Sequence, residues 1–389
     1  MLIDSHAHVF PAMGGPAGHR SVRDHMRYLQ HMMATHHQPV RRADDGSIVR
    51  RPTLADSGDP TLDELSDVDF RGGGHGRFTW TVGGVDHYLQ YLPPTLTRLS
   101  APPELMVAQM DFVGIGRAVL QTGHVYGRLN RFLSRAVRRY PDRFWGLVLV
   151  DEWRVDSPRQ RTALDHAIGG LGLHGLWFHT GNLAQHDRSE TFDDPVFHPF
   201  WDHVSEMRMP VYLNLAGAPS GKEGYLAELA NFGRWRRRYP EIPLMLPHGI
   251  PLFRFMENGE VRIPPEVWKV LADSNALVEI LIPIFQGAIW EYPYVEAQPV
   301  VRQYYERLGP DRLGWGSDMP NVERNCTYKQ SLDYLRLHCD FIPPADMAKI
   351  CGNNVATLFA GQSAAQQPLT ANHDDTLELG GVGSHRNGP

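Results

Sequence analysis

Met1-Leu2-Ile3-Asp4-Ser5-His6-Ala7-His8 opens the chain, and the reading of these eight residues decides the fold. Three apolar residues run directly into polar ones, the pattern of a short buried strand whose C-terminal end emerges at a mouth. His6 and His8 are two residues apart, so on an extended backbone both imidazoles point to one face and can share one metal ion. Two ordinary polar residues at a strand mouth would give the same pattern, so the rest of the chain has to discriminate.

Moving outward, residues 11–104 read as a long irregular stretch with Pro, Gly and Asp clusters, among them Arg71-Gly72-Gly73-Gly74-His75-Gly76. Its apolar and aromatic residues include Met32, Met33, Phe78, Trp80, Tyr88 and Tyr91. A stretch of this length inside a compact domain is expected to be a functional insertion such as a lid. From 105 onward the chain alternates. Strands are expected at 116–121, 144–150, 175–179, 210–215, 243–247, 276–282 and 312–316, with helices mostly between them. Phe144 to Val150 is almost continuously apolar, as a strand buried on both faces must be. Seven strands plus the first make eight, and eight β-then-helix units close into a (β/α)8 barrel. A barrel needs about 250 residues. The expected layout is therefore a barrel over 1–360, with 11–104 inserted after strand one on the catalytic face, and a disordered tail over 361–389.

The composition excludes several classes. The formal charge of −6 leaves no basic footprint for nucleic acid. Arg236-Arg237-Arg238 reads as a solvated helix end. Three cysteines without paired spacing argue against a disulfide framework or a thiolate metal site. No basic leader precedes an apolar run, and no apolar stretch approaches the ~20 residues that cross a bilayer. The expectation is a cytoplasmic enzyme with a small-molecule substrate and no membrane or nucleic-acid partner; a homodimer is compatible with it, and the oligomeric state is left open.

The strand ends carry metal-type side chains. Strand one ends in His6 and His8, strand three in Asp151-Glu152, strand four in His179, strand five at Asn214 and strand six in His248. Strand seven carries Glu279, whose role is left open, and strand eight ends in Gly316-Ser317-Asp318. Each alone reads as a satisfied polar residue. Together they ring one mouth with nitrogen and oxygen donors, a set suited to a divalent metal such as zinc, manganese or iron.

On these residues the chain resembles the amidohydrolase superfamily, in particular the branch related to aminocarboxymuconate semialdehyde decarboxylase. The matching pieces are Ile3-Asp4-Ser5-His6-Ala7-His8, Tyr140-Pro141-Asp142-Arg143-Phe144, Met209-Pro210-Val211-Tyr212-Leu213, Pro247-His248-Gly249, Gly314-Trp315-Gly316-Ser317-Asp318-Met319-Pro320 and Gly352-Asn353-Asn354. The resemblance implies metal ligation by His6, His8 and Asp318, and proton transfer or water activation by His248, itself close enough to be counted as a ligand. It also implies a strand-five histidine ligand, where this chain has Asn214, a harder and weaker donor. Glu152 and His179 are extra donors; Glu152 could bridge two ions and His179 could bind the second.

Two enzymatic readings follow. In one, the metal supports decarboxylation or hydrolysis of a small, aromatic carboxylic acid, with His248 and Asp318 as catalytic groups; it requires an arginine for the carboxylate, which the sequence does not single out. In the other, placed slightly ahead, the altered ligands and aromatic insertion resemble the non-heme diiron monooxygenases of platensimycin and platencin antibiotic biosynthesis. One or two irons would then hydroxylate a large apolar, terpenoid-like substrate. A third reading is an inactive metal-binding barrel, which the retained His6, His8, His248 and Asp318 weigh against.

Overall fold

Ile3–Ala7 (β1) pairs in parallel with Arg117–Leu120 (β2). The pairing continues in chain order through Phe144–Leu149 (β3), Gly175–His179 (β4), Val211–Asn214 (β5), Leu244–Leu246 (β6), Leu277–Ile280 (β7) and Leu313–Trp315 (β8). Just beyond β8, Met319 bridges to Ala7 in parallel, the His8 amide donates to the Met319 carbonyl at 2.7 Å, and the Asp318 amide donates to the His6 carbonyl at 2.8 Å. This closes the sheet into the (β/α)8 barrel. The computed structural model describes residues 1–36, 38–56, 60–215 and 221–361. Of the expected tail, only residue 361 falls inside that range.

The strand bounds fall within a residue or two of expectation, except that β1 extends through Ala7, so His6 lies within the strand. Alternation along β3 explains its unbroken apolar run. Trp145, Leu147 and Leu149 join Ile3, Val119, Trp177, Tyr212 and Met245 in the lumen, whereas Phe144 and Val148 pack in the outer layer. Phe359, following the helix Asn354–Leu358, stacks on Trp145 at 4.5 Å and fills the lumen from the end opposite the strand mouths.

β1 is strapped to the loop after β8 by a buried carboxylate. Asp4 accepts from the amides of His6 and Ser317, both at 3.0 Å, from Ser317 Oγ at 2.6 Å and from Tyr328 Oη at 2.8 Å. Alanine at Asp4 leaves the two amides and the Tyr328 hydroxyl buried without this acceptor, at roughly 1–3 kcal/mol for a single such group, while Ser317 Oγ retains the His6 carbonyl at 3.1 Å. Asp4→Ala is expected to destabilise the fold by at least about 3 kcal/mol. Equilibrium denaturation checks this, and an unchanged midpoint would show that the strap contributes nothing.

The stretch 11–104 is more regular than its composition suggests. It holds the helix Val22–Ala34 and a five-stranded antiparallel sheet in the spatial order Ile48–Val49, Val40–Arg42, Val85–Gln90, Arg77–Val82 and Arg71–Gly74. The central hairpin turns at Gly83-Gly84, a two-residue turn with positive φ at both positions. Its glycine-rich edge strand obscured the alternation. Phe78 and Trp80 are fully buried within the insertion: Phe70 stacks on both, and Trp80 Nε1 donates to Thr53 Oγ1 at 3.0 Å. They belong to one continuous core that runs from the insertion into the outer layer of the barrel.

The run Arg236-Arg237-Arg238 is only partly solvated. Arg237 and Arg238 are exposed, but Arg236 is buried and donates to the carbonyls of Ser274, Tyr239 and Ile242 at 2.5–2.9 Å. The end of the helix Gly221–Arg238 leaves nearby carbonyls that a planar, multidonor guanidinium satisfies better than water can in a packed layer.

Candidate metal centre

His6, His8 and Asp318 converge at the barrel mouth, all three buried, and are the only group of His, Cys, Asp or Glu among the described residues with ligand atoms all within 4.8 Å of one another. His6 Nε2 lies 3.2 Å from His8 Nε2, and Asp318 Oδ1 lies 3.1 Å from His8 Nε2 and 3.9 Å from His6 Nε2. The far ring nitrogens set the tautomers. His6 Nδ1 donates to Glu279 Oε2 at 2.8 Å, and His8 Nδ1 donates to the Gln121 carbonyl at 3.2 Å. As metal ligands, with Nδ1 protonated and Nε2 free, both rings would aim an Nε2 lone pair, and Asp318 an oxygen, at one point. Three lone pairs facing one another repel unless a cation lies between them. Ligands about 2.1 Å from an ion in tetrahedral array stand about 3.4 Å apart, so these spacings fit a divalent metal.

Backbone geometry places the groups. A register irregularity in β1 between Asp4 and Ala7 disturbs simple alternation where the histidines leave the strand. His248 and Asp318 both adopt left-handed φ, at 64° and 62°, a conformation non-glycine residues seldom take and which concentrates at functional sites. At Gly249, with φ of 60°, a Cβ would come within 2.2 Å of the Glu279 carbonyl oxygen. At Gly316, a Cβ would meet Glu279 Oε1 at 2.5 Å and His6 Cβ at 2.7 Å. Glycine there lets the last strand pass close to the Glu279–His6 pair.

Glu279, given no role by the sequence, holds this arrangement together. It is fully buried, accepts from His6, from Ser5 Oγ at 2.5 Å and from the His248 amide at 2.7 Å. Burial works against charge on both groups. The ion-pair geometry outweighs it, so His6 is held above the ordinary histidine value and Glu279 below the ordinary carboxylate value. For Asp318, burial is likewise outweighed by His8 and His6, and its carboxyl stays ionised.

His248 lies beside the triad, its ring 4.7 Å from that of His6. Burial, then the neighbouring His6 charge, pushes it down to about 3, so the ring is neutral. Its Nδ1 meets Asn214 Oδ1 at 3.2 Å, which leaves Nε2 as the proton acceptor. Asn214, read from sequence as a substitute ligand, thus orients His248.

Glu152 and His179 take other partners. Glu152 Oε2 meets His124 Nε2 at 2.9 Å, and its Oε1 accepts from the His179 amide at 3.3 Å. Neither belongs to the triad's ligand group. His124 was missed because it lies four residues beyond β2, past Gly123, where strand periodicity carries no information. Tyr28 of the insertion helix stacks on His124 at 5.3 Å, and Trp153 lies against it at 4.9 Å. The Nδ1 atoms of His124 and His179 are buried without hydrogen-bond partners.

Aromatic rings line the surroundings of the triad. Tyr126 lies over His8 at 4.4 Å, Trp177 meets His6 and His248 edge-on at 6.4 Å, and Phe285 meets His248 at 5.5 Å. Among the described residues, no helix is long and apolar enough to cross a membrane.

No curated protein matches the chain by sequence. Among solved structures it is similar to 2,6-dihydroxybenzoate decarboxylase from Rhizobium, with 18% identity, 67% of this chain and 89% of that chain covered, and a TM-score of 0.50. A probable 2-pyrone-4,6-dicarboxylic acid hydrolase from Acinetobacter baumannii with citric acid bound follows at 17% identity, covering 67% of this chain and 90% of that one, with a TM-score of 0.49. A dihydroxybenzoic acid decarboxylase from Polaromonas sp. JS666 with bound manganese has 17% identity, with 68% and 87% covered and a TM-score of 0.48. At such identities the likeness carries the fold alone. The family model described as Amidohydrolase matches residues 3–360, nearly the whole described chain, and with the closed barrel it establishes that this protein belongs to the amidohydrolase family.

Proposed function

We propose that the protein is a metal-dependent decarboxylase of an aromatic or otherwise conjugated carboxylic acid, with hydrolysis of such an acid as the related chemistry the same groups could perform. The observation that carries this reading is the convergent triad of His6, His8 and Asp318 with a neutral imidazole, His248, at its side. A bound divalent ion would supply Lewis-acid polarisation of a substrate oxygen. The protein's own groups do the rest: His248 Nε2 holds or moves the proton, Asn214 fixes its tautomer, and Glu279 fixes that of His6. Membership of the amidohydrolase family supports metal-dependent chemistry, 2,6-dihydroxybenzoate is the first acid to assay because a neighbour in fold acts on it, and the nitrogen and oxygen donors suit zinc, manganese or iron.

A specific observation also favours the oxidative reading, a non-heme diiron monooxygenase of a large apolar substrate. The buried cluster His124, Glu152 and His179 has unpartnered ring nitrogens near the same mouth and offers further donors for iron. Metal analysis with anaerobic assay separates the two. The decarboxylase reading expects one divalent ion per chain and release of carbon dioxide from 2,6-dihydroxybenzoate or a related acid without oxygen. Two irons per chain and strictly oxygen-dependent turnover would replace it with the oxidative reading. In that case Glu152→Gln should lose one iron more readily than both.

A further inference from the structure

Six residues after Asp318, Arg324 brings a guanidinium to the same side of the mouth, in the turn Asn321–Arg324. Its Nη1 donates to the carbonyl of Tyr91, from the insertion, and the guanidinium lies 5.8 Å from the Tyr91 ring centre. Its Nε is shut from solvent and has no hydrogen-bond partner. Among the described residues, none of the ion pairs within 4.0 Å involves it. The charges and phenols it feels are those of Tyr91, Asp318 and Tyr126. Tyr126 lies over His8, and Asn321, in the same turn as Arg324, joins Tyr126 Oη at 2.6 Å to Asp318 Oδ1 at 2.7 Å, so this turn reaches the triad.

A guanidinium beside a metal centre, with an inaccessible donor left open and no carboxylate in contact, is electrostatically incomplete. A divalent ion on the triad makes the imbalance larger. The ion and the guanidinium, on one side of the mouth, would both attract an anionic ligand. Tyr91 holds the guanidinium from the insertion side, which pre-orients it and lowers the entropy lost when a ligand docks.

We propose that Arg324 is the anion-recognition residue of this site and that the substrate presents it with a carboxylate. The inference rests on the metal-centre reading above and assigns the residue that binds the acid group of its substrate. It also applies to an oxygenase whose substrate is an acid. Arg324 is thereby a specificity-determining residue, set by a loop after β8 and locked by the insertion.

The test uses the full-length, metal-loaded protein and calorimetric titration with two probe pairs at millimolar concentration: benzoate against benzamide, and 2,6-dihydroxybenzoate against its amide. The wild type is expected to bind at least one acid about 10- to 100-fold more tightly than its amide, the range of a charge-assisted hydrogen bond. Arg324→Gln should abolish that preference while amide binding and metal content stay unchanged, and Arg324→Lys should restore part of it. Three outcomes would overturn the proposal: failure of every acid to bind the loaded wild type, acid preference surviving in Arg324→Gln, or equal loss of acid and amide binding with a lowered melting temperature, the mark of a purely structural latch. Loss of decarboxylation with acid preference intact would instead remove the decarboxylase reading and leave this one standing.

Discussion

Asp318→Ala protein is expected to purify folded and essentially without metal, and to show no turnover. Asp318 is the one anionic member of the triad, and its Oδ1 lies within 3.9 Å of both imidazole nitrogens. Removing it leaves two neutral donors, which hold a divalent ion far more weakly than two donors and a carboxylate. The loss should exceed the roughly 10- to 100-fold that follows removal of a residue behind a ligand. His6→Ala and His8→Ala should behave alike. A thermal readout sharpens the test, because a ligand that binds only the folded state stabilises it by about 4 kcal/mol at a thousand times its dissociation constant. Added zinc or manganese should raise the melting temperature of the wild type and leave that of Asp318→Ala unmoved. Full metal content after dialysis in these variants would remove the triad as the metal centre.

Glu279→Gln should produce the second-largest effect, through His6 and without touching the ion. Glu279 faces three donors: the Ser5 hydroxyl, the His6 Nδ1–H and the His248 amide. A glutamine amide group must turn two of its own hydrogens toward this set, so at least one donor loses its acceptor. The charge that holds the His6 ring in its Nδ1–H form is lost as well. Metal affinity is expected to fall about 10- to 100-fold, the typical cost of such an outer partner. The fold should persist, because shape is conserved. Affinity equal to wild type in a competitive chelator titration would show that Glu279 serves the fold alone. Because His248 takes its backbone position partly from the same carboxylate, a pH–rate profile altered in the variant would report that second connection.

How much of the centre was legible depended on what a strand position can say. A residue at the C-terminal end of a barrel strand is placed on the mouth by connectivity alone. His6, His8, His248 and Asp318 could therefore be found together from a linear pattern, and the structure brings them within one cluster. Which rim residues meet is a different matter. Glu152 and His179 are also on the rim, yet Glu152 finds His124, a residue no strand pattern marks. Asn214 reaches His248. Arg324 could not be chosen among the many arginines, because its neighbourhood is made by Tyr91, more than two hundred residues earlier in the chain. The sheet within 11–104 was hidden by glycines that suppress the apolar alternation from which strands are read.

The sequence by itself determined the barrel and placed seven candidate ligands on its rim, His6, His8 and Asp318 among them. Eight buried strands spaced by helices have one compact way to hide their apolar faces, and that closure carries every strand end to one rim. Only the tertiary structure decided the pairings across that rim: Glu279 behind His6, Asn214 behind His248, and Arg324 locked by the insertion with an open donor. The physical reason is range. Burial and periodicity are properties of a local segment, whereas hydrogen bonds act over about 3 Å between residues that only chain closure brings together.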